Sequence, residues 1–141
     1  MKILIAVDGS PYSIKAVKHV IKHFNWFSGP PDLHLLHVKL PLPPGRARSF
    51  LGNDVVDNYY REEAEAALKP SEKLLRKNGI AFRSGYKVGE VGNEIQTYVK
   101  KNKVDMIVMG SHGHGALSNL VMGSVATKVL ASTDVPVLIV R

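Results

Sequence analysis

Two kinds of segment alternate along the chain, one typical of strands and one typical of helices. Five segments are predicted strands: residues 2–7, 33–40, 80–88, 104–109 and 136–140. Four intervening segments are predicted helices: residues 11–24, 54–78, 93–101 and 122–131. Continuous apolar strands separated by helices are typical of a parallel sheet covered on both faces. Because crossovers between parallel strands are right-handed, the pattern predicts one doubly wound α/β domain over residues 1–141.

Capping residues and prolines refine this outline. Ser10 can cap the first predicted helix, with Pro11 at its first position. Pro70 falls inside the second predicted helix, and because proline removes a helical hydrogen bond we expect a kink or a split there. Residues 41–53 form the longest irregular stretch, which is rich in Pro, Gly and Arg. Long loops of this kind are often functional, and we expect this one to become ordered when a ligand binds.

The composition narrows the class of protein. The chain has no cysteine, which excludes disulfides, thiolate catalysis and cysteine-bound metal. The first apolar run is too short for a signal peptide or a membrane span, so we expect a cytoplasmic protein without a membrane partner. The formal net charge of +7 favours anionic ligands. The lysines are scattered along the sequence, so we expect a solvated surface and no specific nucleic-acid partner.

A glycine-rich segment follows the fourth predicted strand and leads into the last predicted helix. It reads GSHGHGALSNLVMGS over residues 110–124, with the spacing Gly-x2-Gly-x9-Gly-Ser. Glycine lets the main chain approach an anion closely, and unpaired N–H groups at the start of a helix point toward it. The segment therefore predicts a phosphate site at the carboxyl end of the sheet. The alternative is a loop whose glycines only supply positive φ angles.

This loop differs from two widespread phosphate motifs. No Gly-Lys-Ser or Gly-Lys-Thr follows the glycines, which excludes a Walker A motif. The dinucleotide fingerprint is also excluded, because its third glycine is missing and the loop follows the fourth strand instead of the first. The loop spacing, together with residues 3–10, 35–38, 104–110 and 135–140, resembles the universal stress protein (UspA-like) family over nearly the whole chain.

The resemblance implies a Rossmann-like, adenine nucleotide alpha hydrolase-like sheet of strand order 3-2-1-4-5, in the ATP-binding branch of the family. It implies an ATP site formed by Ala6, Val7, Asp8, Ser10, Val38, Met109, Gly110, Ser111, His112, Gly113, Gly115, Gly123, Ser124 and Val125. Asp8 would accept hydrogen bonds from ribose hydroxyls or help to hold Mg or Mn, unless it only caps the turn into the first helix. The main chain of Val38 would contact the adenine edge, unless Val38 is a plain core residue. His112 would contact a phosphate, whereas His114 is expected to face solvent.

The remaining histidines offer little chemistry. His19 and His23 are four residues apart on a predicted helix, which is a metal-binding spacing, but no third ligand accompanies them. His34 and His37 are three apart on a predicted strand, so their side chains should point to opposite faces of the sheet. No set of nucleophile, base and orienting residue is evident in the sequence.

These observations predict an ATP-binding universal stress protein that acts as a sensor or regulator, with at most slow hydrolysis. Two alternatives stay open: an interaction protein of the same fold that binds no nucleotide, and an adenine-nucleotide hydrolase-like enzyme. The last strand, residues 136–140, is strongly apolar, and a bare apolar edge strand is an aggregation hazard. We therefore expect a homodimer that pairs this strand with its copy, unless the strand is not an exposed edge.

Overall fold

The structure, a computed structural model, describes residues 1–115, 119 and 121–141, and at residues 46 and 47 the main chain alone. Part of the predicted glycine loop, residues 116–118 and 120, therefore lies outside the described residues. The elements in chain order are β1 (Lys2–Ala6), α1 (Pro11–Lys22), a 3-10 helix (Phe24–Trp26), β2 (Asp32–Lys39), α2 (Arg46–Leu51), α3 (Asn53–Lys77), β3 (Phe82–Val88), α4 (Val91–Asn102), β4 (Met106–Gly110), α5 (Ser124–Ser132) and β5 (Val137–Val140).

The five strands form one parallel sheet in the order β3-β2-β1-β4-β5, which confirms the predicted fold class and strand order. Strand β1 lies at the centre, where Ala6 is opposite Leu36 of β2 and Met109 of β4. The strand order reverses at this point, because the chain continues from β1 to β2 on one side and reaches β4 on the other. A crevice therefore opens between the carboxyl ends of β1 and β4.

Two hydrophobic cores, one on each face of the sheet, fix the helices. One core joins Ile5 of β1 to Val17 of α1 and Leu75 of α3. The other joins Leu4 of β1 to Ile95 of α4 and to residues of α5. Successive strand residues point to opposite faces, so a strand buried on both faces must be apolar throughout. Each fully buried aliphatic side chain contributes about 1.5–3 kcal/mol to stability.

The two histidines of β2 point to opposite faces, as predicted. Nδ1 of His34 lies 2.7 Å from the hydroxyl oxygen of Tyr98 on α4. On the other face, Nδ1 of His37 donates a hydrogen bond to the carbonyl oxygen of Val7 at 2.8 Å. Both rings are buried and both act in packing.

The predicted loop at residues 41–53 contains a short helix, α2, which the sequence analysis missed. Gly45 and Gly52 flank this helix with φ angles of 93° and 81°. The helix has six residues and no side chain that caps its first turn. A helix this short leaves no periodic pattern, and its start lacks the usual capping signal.

Of the kink or split predicted at Pro70, the split is wrong. Helix α3 runs unbroken from Asn53 to Lys77 and contains Pro70 in its interior. Leu68 and Ser71, on either side of the proline, are both buried. We infer that packing against the sheet outweighs the cost of the missing main-chain hydrogen bond. No helix in the described parts of the chain is long and apolar enough to cross a bilayer.

Candidate functional site

A cleft opens at the carboxyl ends of β1 and β4, where the strand order reverses. Its volume is about 520 Å³, counted out to the open mouth. Most of the predicted site residues line it: Ala6, Val7, Asp8, Val38, Met109, Gly110, His112, Gly113, Gly123 and Val125. The fold thus brings the end of β1, the end of β2 and the glycine-rich segment to one place, as expected from the position of the strand reversal.

Four of the predicted residues do not line the cleft. Ser10 is fully buried, and its hydroxyl oxygen accepts a hydrogen bond from the N–H of Ser13 as the N-cap of α1. Ser111 is buried, and its N–H donates to the carbonyl of Val140 at 2.8 Å. Gly115 and Ser124 are exposed at the two ends of the loop. Ser10 and Ser111 therefore support the cleft from behind its wall.

The cleft also contains residues that the sequence analysis missed: Ser13, Leu36, Val91, Ile95 and Ala126. Two of them follow from periodicity. Leu36 lies two residues before Val38 and shares its face of the strand, and Ile95 follows Val91 by one helical turn. The sequence contained these signals, but no pattern in it linked the start of α4 to the glycine-rich segment.

The lining of the cleft is mostly apolar with a few polar groups. Leu36, Val38 and Ile95 are among its apolar side chains, and Asp8 and His112 are among its polar ones. An apolar slot suits a flat ring, and polar groups at the mouth can fix the orientation of a ligand.

The carboxylate of Asp8, which lines the cleft, accepts three hydrogen bonds. One carboxylate oxygen accepts hydrogen bonds from the N–H of Ser10 at 2.9 Å and from the hydroxyl of Ser13 at 2.6 Å. The other accepts a bond from the N–H of His114 at 3.3 Å. Burial acts to raise the pKa of Asp8, but hydrogen bonds from Ser10 and Ser13 and the nearby His114 together hold the pKa below its ordinary value. Asp8 is therefore ionised at neutral pH and braces the turn into α1.

His114 is exposed, as predicted, and its Nε2 lies 2.9 Å from the carbonyl oxygen of Asp8. His112, nearer the cleft, has Nδ1 2.8 Å from the hydroxyl oxygen of Ser111 and its ring 5.1 Å from that of Tyr12. Both histidines thus link the glycine-rich segment to the chain around β1 and α1.

The three glycines of the motif, Gly110, Gly113 and Gly123, lie close to other parts of the chain. A Cβ on Gly110 would lie 2.7 Å from Cβ of Tyr12, and one on Gly113 would lie 2.5 Å from a carboxylate oxygen of Asp8. A Cβ on Gly123 would lie 3.1 Å from Cα of His112. The alternative, that a glycine is needed only for a positive φ angle, applies within this segment to Gly115, whose φ is 74°. Packing within the protein therefore requires glycine at position 110, where the close atoms include the main chain of Tyr12. At Gly113 the close atom is the end of the Asp8 side chain, and at Gly123 the contact is tight but less severe.

The first turn of α5 faces the cleft, and its N-cap residue supplies no capping side chain. Its N-cap is Gly123, which has no side chain to accept a hydrogen bond, and Val125 and Ala126 of this turn line the cleft. Helix α4, by contrast, is capped by the carboxylate of Glu90. The unpaired N–H groups at the start of a helix carry partial positive charge and favour an anion.

The donors at the rim do not build a metal site by themselves. Within the described ranges, no three His, Asp or Glu side chains cluster as metal ligands would. Asp8 is the one predicted metal-binding side chain, and one of its oxygens is already used in the turn. This donor set fits Mg²⁺ held chiefly by ligand phosphates with at most one protein carboxylate.

Comparisons with known proteins agree with this architecture. The family model for the universal stress protein family matches residues 1–141. Universal stress protein MJ0531 of Methanocaldococcus jannaschii is 31% identical over 141 residues, covering 99% of this chain and 81% of that protein. Universal stress protein YxiE of Bacillus subtilis is 31% identical over 156 residues, with coverage of 99% and 98%.

Solved structures give the same result. The structure of MJ0577, from the same archaeon, superposes with a TM-score of 0.80 at 30% identity and covers 99% of this chain and 94% of that one. A universal stress protein in complex with cAMP (TM-score 0.67, coverage 100% and 96%) and one from Archaeoglobus fulgidus in complex with dAMP (0.65, 100% and 98%) share the fold at 19% identity. This chain therefore belongs to the universal stress protein family.

Proposed function

We infer that this protein binds ATP in the cleft between β1 and β4 and acts as a nucleotide-dependent sensor or regulator in a stress response. The adenine would occupy the apolar slot beside Val38, and the phosphates would lie at the first turn of α5. The ribose would lie near Asp8. In this arrangement Gly110, Gly113 and Gly123 keep the main chain close to the ligand.

One observation carries the proposal: an apolar slot and an uncapped helix start meet in one cleft at the strand reversal. A nucleotide has the matching parts, a flat base at one end and an anion at the other. The spacing Gly-x2-Gly-x9-Gly-Ser supports ATP within this family. The fold neighbours in complex with cAMP and dAMP support an adenine base.

A divalent ion, Mg²⁺ or Mn²⁺, would accompany the ATP. Bound to the phosphates, it would neutralise their charge and order them. The chain's own contribution would be a single carboxylate oxygen of Asp8, because its other oxygen is occupied by Ser10 and Ser13. Among the described residues that line the cleft, the polar side chains are those of Asp8, Ser13 and His112, and each is hydrogen-bonded to a neighbour. Hydrolysis would therefore be slow.

Calorimetric titration tests this proposal. Mg-ATP should bind the wild-type protein more tightly than Mg-GTP, because the apolar slot offers no partners for the polar edge of guanine. Turnover of ATP should stay below the ordinary range of ~1–10³ s⁻¹ for enzymes. Absence of ATP binding would favour the interaction protein without a nucleotide, and turnover in the ordinary range would favour the hydrolase-like enzyme.

We also propose that the protein forms a homodimer through residues 136–140. Strand β5 lies at one edge of the sheet, so the alternative that it is an inner strand is excluded. All four residues of β5 are apolar and only partly buried in the single chain. Pairing with a second copy would cover the open main-chain groups of this edge.

A further inference from the structure

Seven exposed basic residues on α1 and α3 form a surface that we call the basic face. It consists of Lys15, Lys18 and Lys22 of α1 and Lys69, Lys73, Arg76 and Lys77 of α3. On each helix these residues recur at spacings of mostly three or four, so they share one outward side. The two sets are about 50 residues apart in the sequence, and the fold brings them together.

Packing of α1 against α3 makes the face continuous. Val17 and Val20 of α1 share a hydrophobic core with Leu68 and Leu75 of α3. Each helix connects neighbouring parallel strands, so both run in the same direction across the sheet. The turn before α1 lies beside the middle of α3, since a Cβ on Gly9 would be 3.2 Å from the main chain of residue 67. The whole of α1 therefore runs alongside the second half of α3.

The charge on this face is nearly unopposed. Helix α1 contains no acidic residue, and the second half of α3 contains one, Glu72, which pairs with Arg76 at 3.3 Å. No ion pair involves the six lysines of the face within the described part of the chain. Lys15 lies over the ring of Tyr12 at 5.3 Å, which leaves its charge uncancelled. A field of this sign and density attracts a polyanion.

An exposed aromatic group adjoins the face at the end of α1. The ring of Trp26 lies 3.9 Å from the ring of His23 and 5.7 Å from that of His19, centroid to centroid. The side chain of Trp26 is 68% exposed. His19 lies on the last turn of α1, three residues before Lys22, and His23 follows the helix as its C-cap, so the indole lies at the end of α1 that carries Lys22. The groove beside Trp26 is completed by residues of β4 and β5, so the indole adjoins the α1 part of the basic face. Its open surface can stack on a further flat ring.

We propose that the basic face binds single-stranded nucleic acid without sequence preference, with phosphates on the lysines and an unpaired base on Trp26. Lysines hold phosphates as point charges and carry no base code, whereas the single arginine of the face is paired with Glu72. A groove of positive charge beside an aromatic ring is the usual arrangement for sequence-independent binding of single strands.

The same charges suit an anionic membrane less well. Membrane-surface helices carry large apolar side chains that enter the acyl region. On the basic face itself, no large apolar side chain among the described residues is exposed. The exposed Leu40, Phe50 and Val55 lie before or within the first half of α3, away from these lysines. Among the described residues, the large apolar side chains exposed near the end of α1 are Trp26 and Met1.

Fluorescence anisotropy with a labelled oligothymidylate of twenty nucleotides tests the proposal. If six lysines contact phosphates, the affinity should fall about 300-fold between 50 and 200 mM salt, because each contact to a single strand contributes about −0.7 to the logarithmic slope. The triple variant Lys15→Gln, Lys18→Gln, Lys22→Gln should bind more weakly and halve the slope, from about −4 to about −2.

A matched triple variant controls for net charge. Lys87→Gln, Lys100→Gln and Lys101→Gln remove the same three positive charges from exposed positions on β3 and α4. This variant should keep the wild-type salt slope. Equal weakening by the two triple variants would overturn the proposal, since it would reduce the effect to net charge. Stronger binding to phosphatidylserine vesicles than to the oligonucleotide at equal salt would also overturn it.

The variant Trp26→Ala separates stacking from charge. It should weaken binding of the oligothymidylate about 5- to 150-fold, the range for loss of one stacked base. Binding of inorganic polyphosphate, which has charge but no bases, should be unchanged. Trp26→Phe should restore most of the affinity. Unchanged affinity of Trp26→Ala for the oligonucleotide would overturn the assignment of the base to this ring.

Discussion

Gly110, Gly113 and Gly123 lie against other parts of this chain, which determines what a substitution there can report. A side chain on Gly110 would meet Tyr12, and one on Gly123 would meet the main chain at His112. Loss of ligand binding in such a variant would therefore mix a direct effect with a change of fold. The sequence predicted that these positions need glycine, but the partners that require it are distant in sequence and appear only in the folded chain.

Substitution of Gly110 should test this packing directly. Gly110→Ala should lower the free energy of unfolding by about 1–3 kcal/mol, because the new Cβ would lie within 2.8 Å of Tyr12 main-chain atoms. Gly85→Ala is the control, since a Cβ there has no atom within 4 Å. Urea denaturation of both variants without ligand gives the comparison. Equal stability of Gly110→Ala and the wild type would contradict the account.

Asp8 makes stability depend on pH. Its folded-state pKa is lowered, so its contribution is fully present above the unfolded-state pKa and is lost as the pH falls through the folded-state pKa. Asp8→Asn should cost about 1 kcal/mol at pH 7. The difference from the wild type should shrink below about pH 4. Urea denaturation from pH 7 to pH 3 measures it, with the exposed Asp134→Asn as the control that should change little.

The elements show where sequence patterns are sufficient and where they are not. The predicted starts of α4 and α5, Asn93 and residue 122, differ from the observed starts by two residues, because Glu90 and Gly123 act as the N-caps. Strands β1, β2 and β4 were found because they are largely apolar and buried on both faces, whereas the edge strand β3 is largely exposed. Helix α2 was missed because six residues without a cap carry no period. Packing of α3 overrides the local preference of Pro70.

The edge strand β5 gives a prediction for the proposed dimer. The carbonyl oxygen of Pro136 accepts a hydrogen bond from Ile107 of β4, and that of Val140 accepts one from Ser111, the residue after β4. The main-chain groups of residues 137 and 139 therefore point outward. Ile139→Pro removes an outward N–H while it leaves the pairing with β4 intact, and proline is tolerated at such positions. Light scattering should report a monomer for Ile139→Pro and a dimer for Ile139→Val. A dimer of undiminished stability in Ile139→Pro would exclude pairing through β5.

At the scale of the whole molecule, the order of the strands was predicted from the resemblance to the universal stress protein family. The doubly wound class and the place of the cleft follow from local patterns and from general rules for right-handed parallel sheets. The basic face could not be predicted in this way. Its two sets of lysines are separated in the sequence by β2, α2 and the first part of α3. Along the sequence, the positive charges are therefore scattered. Only the packing of α1 against α3 makes them one surface.

The central claim is that ATP phosphates lie at the uncapped start of α5, and calorimetric titration of two variants of Val125 tests it most directly. Val125 lines the cleft in the first turn of this helix. Val125→Glu places a negative charge there, and an acidic residue in the first turn does not harm the helix. Val125→Gln has nearly the same size without the charge. We predict that Mg-ATP binds the Gln variant within about threefold of wild type and the Glu variant at least about tenfold more weakly. Equal ATP affinity of the two variants would contradict the claim.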